Sequence, residues 1–229
     1  MDIAILEIGS NDAQAALADV ANNRQTIYEF AQSLSDTVVQ QLELLSEIGF
    51  KRIFVTNLPS LQHAPIVKSK NRAPLAEVAV SFYNRILAEK VMKWKAKAQL
   101  DSVTILDFES FVNNAIKPSV TNALGISDIE SYCVGGKWLA MFEDQLEYAE
   151  ILKFLLEFGN KNTCADSATK FFFDPIHPSE RVHRLFGYYV HMVIAGQGTG
   201  TQFVLSEKSL LELIDKYKLD SKVSKPAAI

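Results

Sequence analysis

The chain has 229 residues, of which 48% are hydrophobic and 22% are charged, enough to bury a sizeable core as one domain. Its formal net charge of -4 argues against nucleic-acid binding, because nucleic-acid-binding proteins need a basic surface to neutralise phosphates. The sequence also lacks a run of the roughly 18 apolar residues that a transmembrane helix requires. We therefore predict a single globular domain over residues 1–219 and a polar tail over 220–229.

Short apolar runs alternate with long amphipathic segments in the first half of the chain. Runs rich in β-branched residues predict strands, and apolar residues at three- and four-residue spacing predict helices. Strands joined by helices of this length need crossover connections, so the predicted fold class is α/β, a three-layer α/β/α arrangement around a central parallel sheet. In chain order the predictions are a strand at 3–8, a loop at 10–12, a helix at 27–48, a strand at 52–56, a helix at 74–97 and a strand at 103–107.

The second half of the chain has a weaker pattern. Glycines and a proline between 117 and 137 predict a loop there, with a short helix at Asp128–Tyr132. Cys133 and Cys164 fit either one disulfide or two buried thiols. Apolar periodicity predicts three further helices, at 143–158, 178–195 and 206–217.

An aspartate and a histidine stand three residues apart between an aromatic run and a predicted helix. This spacing lets the Asp174 carboxylate fold back and accept a hydrogen bond from Nδ1 of His177. That contact fixes the histidine tautomer and leaves Nε2 as a general base. Pro178 suits the first turn of the next helix and would hold the loop from its far side. The sequence thus predicts an acid–base pair.

A polar segment, Gly9–Asp12, follows the first predicted strand. Ligands bind beyond the carboxyl ends of the strands in open parallel sheets, so a site is expected at this segment. The side-chain amide of Asn11 can donate to a developing oxyanion. Such a donor contributes about 3 to 4 kcal/mol when it is preorganised in a site that excludes water.

These two segments, in this order, resemble the third and fifth sequence blocks of the GDSL (SGNH) hydrolase family of serine lipases and esterases. The Asp-x-x-His-Pro motif is fairly specific when it is paired with Gly-x-Asn-Asp. The resemblance runs from Asp2 to about Val193, and the continuation at Arg181–His183 is more similar to fungal or oomycete members than to plant members. Three further stretches match: the strand end at Thr56–Leu61, the aromatic-asparagine helix segment at Tyr83–Leu87, and Asp107 at the end of a strand.

The resemblance implies a carboxylic ester hydrolase that works through an acyl-serine intermediate without a metal or organic cofactor. Its substrate would be a small-molecule, lipid or acetylated-carbohydrate ester, and family members are commonly secreted. The roles that it implies are His177 as general base, Asp174 as the residue that orients it, Asn11 as an oxyanion donor, and Gly9 and Asp12 as support for the loop.

The sequence departs from the family at the nucleophile. The family's serine lies in a Gly-Asp-Ser block before the strand with which this chain opens, and that sequence does not occur in the 229 residues. Ser10 adjoins the site, but the family varies at that position. We therefore expect an N-terminally truncated domain that lacks its first strand and is a very poor esterase in isolation. The alternative is a non-catalytic relative that binds a carbohydrate or lipid ester.

Overall fold

In a computed structural model of the chain, the structure describes residues 2–98, 100–134, 164–200 and 202–221. They belong to two compact units: a first unit of Met1–His63 and Val67–Asn113, and a second unit of Ala64–Ile66 and Asn114–Ile229. The predicted helix at 143–158 and most of the predicted polar tail lie outside the described residues. The expectation of one domain over 1–219 stays a prediction.

The first unit contains a parallel sheet of three strands, β1 (Ile3–Leu6), β2 (Arg52–Thr56) and β3 (Ser102–Leu106), in the order β1-β2-β3. The central strand β2 is buried along nearly its whole length, as expected for a parallel strand with neighbours on both sides. The predicted α/β class with parallel strands is confirmed.

Long helices connect these strands and pack on each other. The rings of Phe30 and Tyr83 stack with centroids 5.8 Å apart, one from each of the two longest helices that the structure describes. Thr26 begins the first of these with a capping box, in which its hydroxyl accepts from the Glu29 N–H and its own N–H donates to the Glu29 carboxylate. The helices between residues 10 and 115 are α1 (Ser10–Ala21), α2 (Ile27–Glu47), α3 (Pro65–Ser69), α4 (Ala73–Lys95) and α5 (Phe108–Ala115), of which α3 is short and α5 follows β3.

The predicted loop at 10–12 is wrong, because α1 begins at Ser10. Gly9 has a φ of +101°, a left-handed conformation that glycine adopts easily, so the chain enters α1 directly after this residue, three residues beyond the end of β1. Asp12 lies in the first turn, where a negative charge interacts favourably with the helix dipole.

The second unit contains α6 (Pro118–Ala123), β4 (Asp128–Tyr132), β5 (Lys170–Phe172), α7 (Glu180–Thr199) and α8 (Glu207–Tyr217). The predicted loop over 117–137 therefore contains a helix, and the predicted short helix at 128–132 is wrong, because this segment is a strand parallel to β5. Its partner is distant in sequence, so local pattern gave no sign of the pairing. Lys170 Nζ lies 2.9 Å from Asp128 Oδ2 and joins the starts of the two strands.

The two predicted C-terminal helices are confirmed as α7 and α8, with a shifted start for α7. Pro178 is not in its first turn but forms an isolated antiparallel bridge with Phe172 of β5. The helix α7 continues through Gly196 and Gly198 to Thr199 and is followed by Gly200, whose φ is +72°. None of the described helices is both long and apolar enough to span a membrane.

Candidate active site

The predicted acid and histidine meet on the loop that follows β5. Pro175 restricts its own φ and favours a tight turn after Asp174. One carboxylate oxygen of Asp174, Oδ1, accepts hydrogen bonds from the backbone N–H groups of Ile176 at 2.9 Å and His177 at 2.7 Å. The other oxygen, Oδ2, lies 2.7 Å from Nδ1 of His177. One side chain therefore shapes the turn and contacts the imidazole.

The environment of Asp174 determines which ring nitrogen of His177 carries the proton. Burial raises the pKa of this carboxyl, but hydrogen bonds from the His177 ring and from the backbone of His177 and Ile176 outweigh burial, and the pKa lies below its usual range. The carboxylate is then ionised at neutral pH and can only accept hydrogen bonds. Nδ1 of His177 must donate, so Nε2 is the proton-accepting nitrogen of the neutral ring. The His177 side chain is 57% exposed, which keeps the ring accessible.

Backbone hydrogen bonds hold the loop on both sides. The Phe173 N–H donates to the His177 carbonyl at 2.9 Å, and the Ser179 N–H donates to the Phe171 carbonyl at 2.7 Å. The Ile66 N–H donates to the Pro175 carbonyl at 3.0 Å. The imidazole is therefore attached to a backbone whose position is fixed at several points.

The predicted oxyanion donor Asn11 lies in the first unit, at the start of α1 and just after β1, and its side chain is exposed. Gly9, which precedes it, is buried, and a Cβ added there would lie 3.3 Å from Leu34 Cδ2. Asp12 is close enough to Tyr83 to act on it: burial and then the Asp12 charge raise the pKa of the tyrosine well above its usual range. The approach of Asn11 to the acid–base pair stays a prediction.

Polar side chains from three motif stretches of the first unit meet after β2 and β3. Asn57 Nδ2 donates to Asp107 Oδ1 at 3.0 Å, while Asn57 Oδ1 accepts from the N–H groups of Phe108 and Glu109. The buried Asn84 accepts from the Leu58 N–H at 2.9 Å and donates to the Leu58 carbonyl at 3.0 Å. These contacts fix the loop that follows β2.

The remaining histidines with a described contact have structural partners. Nε2 of His63 lies 3.0 Å from the Asn113 side-chain oxygen, and Nδ1 of His183 donates to the Ser179 carbonyl at 3.1 Å. Among the residues that the structure describes, no three His, Cys, Asp or Glu side chains are grouped closely enough to hold a metal ion.

Sequence reasoning missed the backbone donors around the pair. The N–H groups of Cys133 and Val134 both donate to the Phe173 carbonyl, at 3.0 and 2.8 Å. Cys133 also forms a disulfide with Cys164, which resolves the alternative left open above. The two cysteines could have indicated that these segments lie close together. The contact of the Ile66 N–H could not be predicted, because every residue except proline has a backbone N–H.

Comparison with known proteins identifies the family of the chain. The sequence model of the family described as GDSL-like lipase/acylhydrolase matches residues 1–190. A GDSL esterase/lipase of Arabidopsis thaliana is 24% identical over 190 residues, which cover 80% of this chain and 48% of the plant protein. The chain thus spans about half the length of the curated relative that it matches. Since the family match covers most of its residues, the chain belongs to the GDSL-like lipase/acylhydrolase family.

Proposed function

We propose that the chain carries the acid–base half of a carboxylic ester hydrolase. Asp174 orients His177, His177 Nε2 is the general base, and Asn11 donates to the oxyanion. The nucleophile is a serine of a Gly-Asp-Ser block that these 229 residues do not contain. The observation that carries the proposal is the 2.7 Å contact between His177 Nδ1 and an ionised, buried carboxylate in a member of this family.

The proposed reaction follows acyl-serine chemistry. His177 Nε2 takes the proton of the serine hydroxyl as its oxygen attacks the ester carbonyl, and the same proton passes to the departing alcohol. Water then attacks the acyl-serine, again losing a proton to Nε2, and the serine leaves with that proton. The sum is ester plus water giving acid plus alcohol. Asn11 stabilises the negative oxygen of each tetrahedral intermediate.

The disulfide supports a proposal about location. Structural disulfides persist in oxidising compartments, and the two described cysteines of the second unit are joined. We place the protein outside the reducing cytosol, as a secreted enzyme that acts on small-molecule, lipid or acetylated-carbohydrate esters.

The test compares two forms of the protein with p-nitrophenyl acetate. Expressed from its complete coding sequence, the protein should hydrolyse this ester, and His177→Ala should lower kcat/KM by about 10⁴- to 10⁶-fold, because the serine then loses its proposed general base. The 229 residues alone should hydrolyse it no faster than their own His177→Ala variant.

His183→Ala serves as the matched control, because His183 contacts the backbone carbonyl of Ser179, the N-cap residue of α7, and has no role in the proposed chemistry. It should leave kcat/KM within about twofold of the wild type. If the complete protein hydrolyses the ester equally well without His177, the proposed function is wrong. Hydrolysis by the 229 residues that does depend on His177 would move the nucleophile into this chain, with Ser10 as the first residue to substitute.

A further inference from the structure

The disulfide lies at the same end of the β4–β5 pair as the acid–base loop. Tyr132, the last residue of β4, is in register with Phe172, the last residue of β5. Cys133 follows Tyr132 directly, and its Cα lies 5.0 Å from that of Cys164. The bridge is therefore located where β5 leads into the loop that carries the pair.

A short path of contacts connects the bridge to the histidine. The Phe173 carbonyl accepts from the N–H groups of Cys133 and Val134, and the N–H of the same residue, Phe173, donates to the His177 carbonyl. The next residue in the chain is Asp174, whose Oδ1 accepts from the His177 N–H at 2.7 Å. The backbone of Phe173 is thus held by the segment that contains the bridged Cys133, and it in turn holds the backbone of His177.

The opposite end of the strand pair has its own attachment. Lys170 Nζ contacts the carboxylate of Asp128 at 2.9 Å and the Ser131 hydroxyl at 2.8 Å, and this lysine side chain is only 12% exposed. These contacts hold the start of β5. The disulfide is a covalent link at the other end, where β5 leads into the loop that carries Asp174 and His177.

We propose that the Cys133–Cys164 disulfide positions the Asp174–His177 pair, so that reduction of the bridge loosens the loop and misaligns the imidazole. The bridge spans 31 positions in sequence, so its reduction frees the strand end after Tyr132 from a long-range constraint. The hydrogen bonds to Phe173 then lose this covalent support and depend on the pairing of β4 with β5. Only the consequence for ester hydrolysis rests on the proposed function; the coupling itself is structural.

The reducing step needs a dithiol. One thiolate of the dithiol attacks a disulfide sulfur to form a mixed disulfide, and its second thiol displaces the cysteine. Two electrons and two protons pass to the protein, which gains two thiols, while the dithiol becomes a cyclic disulfide. The position of the pair would thereby follow the redox state of the surroundings.

Amide hydrogen exchange measured by NMR tests the coupling in the 229-residue chain. The Cys133→Ala/Cys164→Ala variant, and separately the wild type treated with dithiothreitol, should exchange the Phe173 and His177 amides at least about tenfold faster than the oxidised wild type. The Leu210 amide, which donates to the Ser206 carbonyl in the same unit, should change by less than about twofold. If the double variant does not fold, the exchange rates of the wild type treated with dithiothreitol still test the proposal.

Ser206→Ala is the matched control, because it removes the N-cap hydroxyl of α8 in the same unit without touching β4 or β5. It should speed exchange in α8 and leave the His177 amide unchanged. Faster exchange confined to Cys133 and Val134 would overturn the proposal, and so would a uniform acceleration that includes Leu210. If His177 follows the disulfide but the complete protein hydrolyses no ester, the coupling stands and the proposed function fails.

Discussion

The Asp174 carboxylate performs two tasks because each of its oxygens has a separate set of donors. Oδ1 accepts from two backbone N–H groups and Oδ2 from the imidazole. Carboxylates with several hydrogen bonds to the charged form resist protonation even when they are buried. The same side chain therefore links the shape of the turn to the protonation state of His177.

Asp174→Asn should show how much the charge of this carboxylate stabilises the fold, because the loss of stability should depend on pH. The pKa of Asp174 is lowered in the folded chain, so its ionisation stabilises the fold fully above the unfolded-state value near 4, and this contribution is lost as pH falls through the folded-state value. At pH 7 the variant should lose about 1 to 3 kcal/mol of unfolding free energy. Urea unfolding between pH 7 and pH 3 measures the unfolding free energy of the wild type and the variant. The difference between the two free energies should shrink only in the acidic part of this range. A constant difference would contradict the lowered pKa of Asp174.

Gly9 provides a second residue-scale test, because two requirements coincide there. Gly9 and Gly49 have almost the same left-handed backbone, with φ of +101° and +107°, but an added Cβ meets Leu34 at Gly9 and nothing within 4 Å at Gly49. Each Gly→Ala variant should lose about 1 to 3 kcal/mol of unfolding free energy through backbone strain. Gly9→Ala should lose more, because the Leu34 side chain must also shift. Equal losses in urea unfolding would show that this contact costs nothing.

At the scale of elements, one buried amide joins α4 to the loop after β2. Asn84 pairs with both backbone groups of Leu58, as a neighbouring strand would, and its Nδ2 also donates to Glu109 Oε2 at 2.9 Å. Ser81, one turn earlier on α4, donates to the other oxygen of the same carboxylate. The resemblance stretch around Tyr83 thus has a physical basis: its asparagine fixes the loop after a strand end.

Asn84→Ala should therefore destabilise the chain by about 2 to 4 kcal/mol, because the buried Leu58 N–H and carbonyl lose their partner. The matched control is Asn22→Ala, which removes an exposed amide that donates to the Ala18 carbonyl at the end of α1. This variant should lose no more than about 1 kcal/mol. Urea unfolding of both proteins gives the comparison, and similar losses would mean that solvent replaces Asn84 at Leu58.

The elements that were predicted correctly from sequence are those with strong local periodicity. The strand at 52–56 and the helix at 27–48 agree with β2 and α2 to within a residue. Two segments were missed for different reasons: β4 exists because it pairs with the distant β5, and α1 begins directly after Gly9 because of a local backbone conformation. Tertiary contacts overrode local propensity at β4, whereas residue type alone did not reveal the backbone conformation at Gly9.

The site shows the same division at the scale of the whole chain. The contact between Asp174 and His177 could be predicted because it spans three residues and depends on turn chemistry alone. The contacts of Phe173 with Cys133 and Val134, and of Pro175 with Ile66, join segments far apart in sequence through backbone groups. Residue types carry no information about such bonds, so the surroundings of the pair could not be predicted from the sequence.

The edge strand β1 of the first unit's sheet carries an exposed apolar side chain. Among the described residues, β1 pairs with β2 on one side only, and Ile5 in its middle is 50% exposed. Edge strands with apolar side chains and no charge or proline promote pairing between chains. We therefore expect the 229-residue chain to self-associate, with a weight-average mass that rises with concentration above the 25.5 kDa of one copy.

Ile5→Lys should lower the association constant by about tenfold or more, because a charge on the edge would be buried by pairing. Val204→Lys is the matched control: it changes the net charge equally at an apolar residue that is 70% exposed but not in a strand. Sedimentation equilibrium of all three proteins at the same salt concentration separates an edge effect from a general effect of charge. If both lysine variants dissociate equally, repulsion between whole molecules is the cause. A wild type that stays at the mass of one copy would show that β1 does not pair between chains.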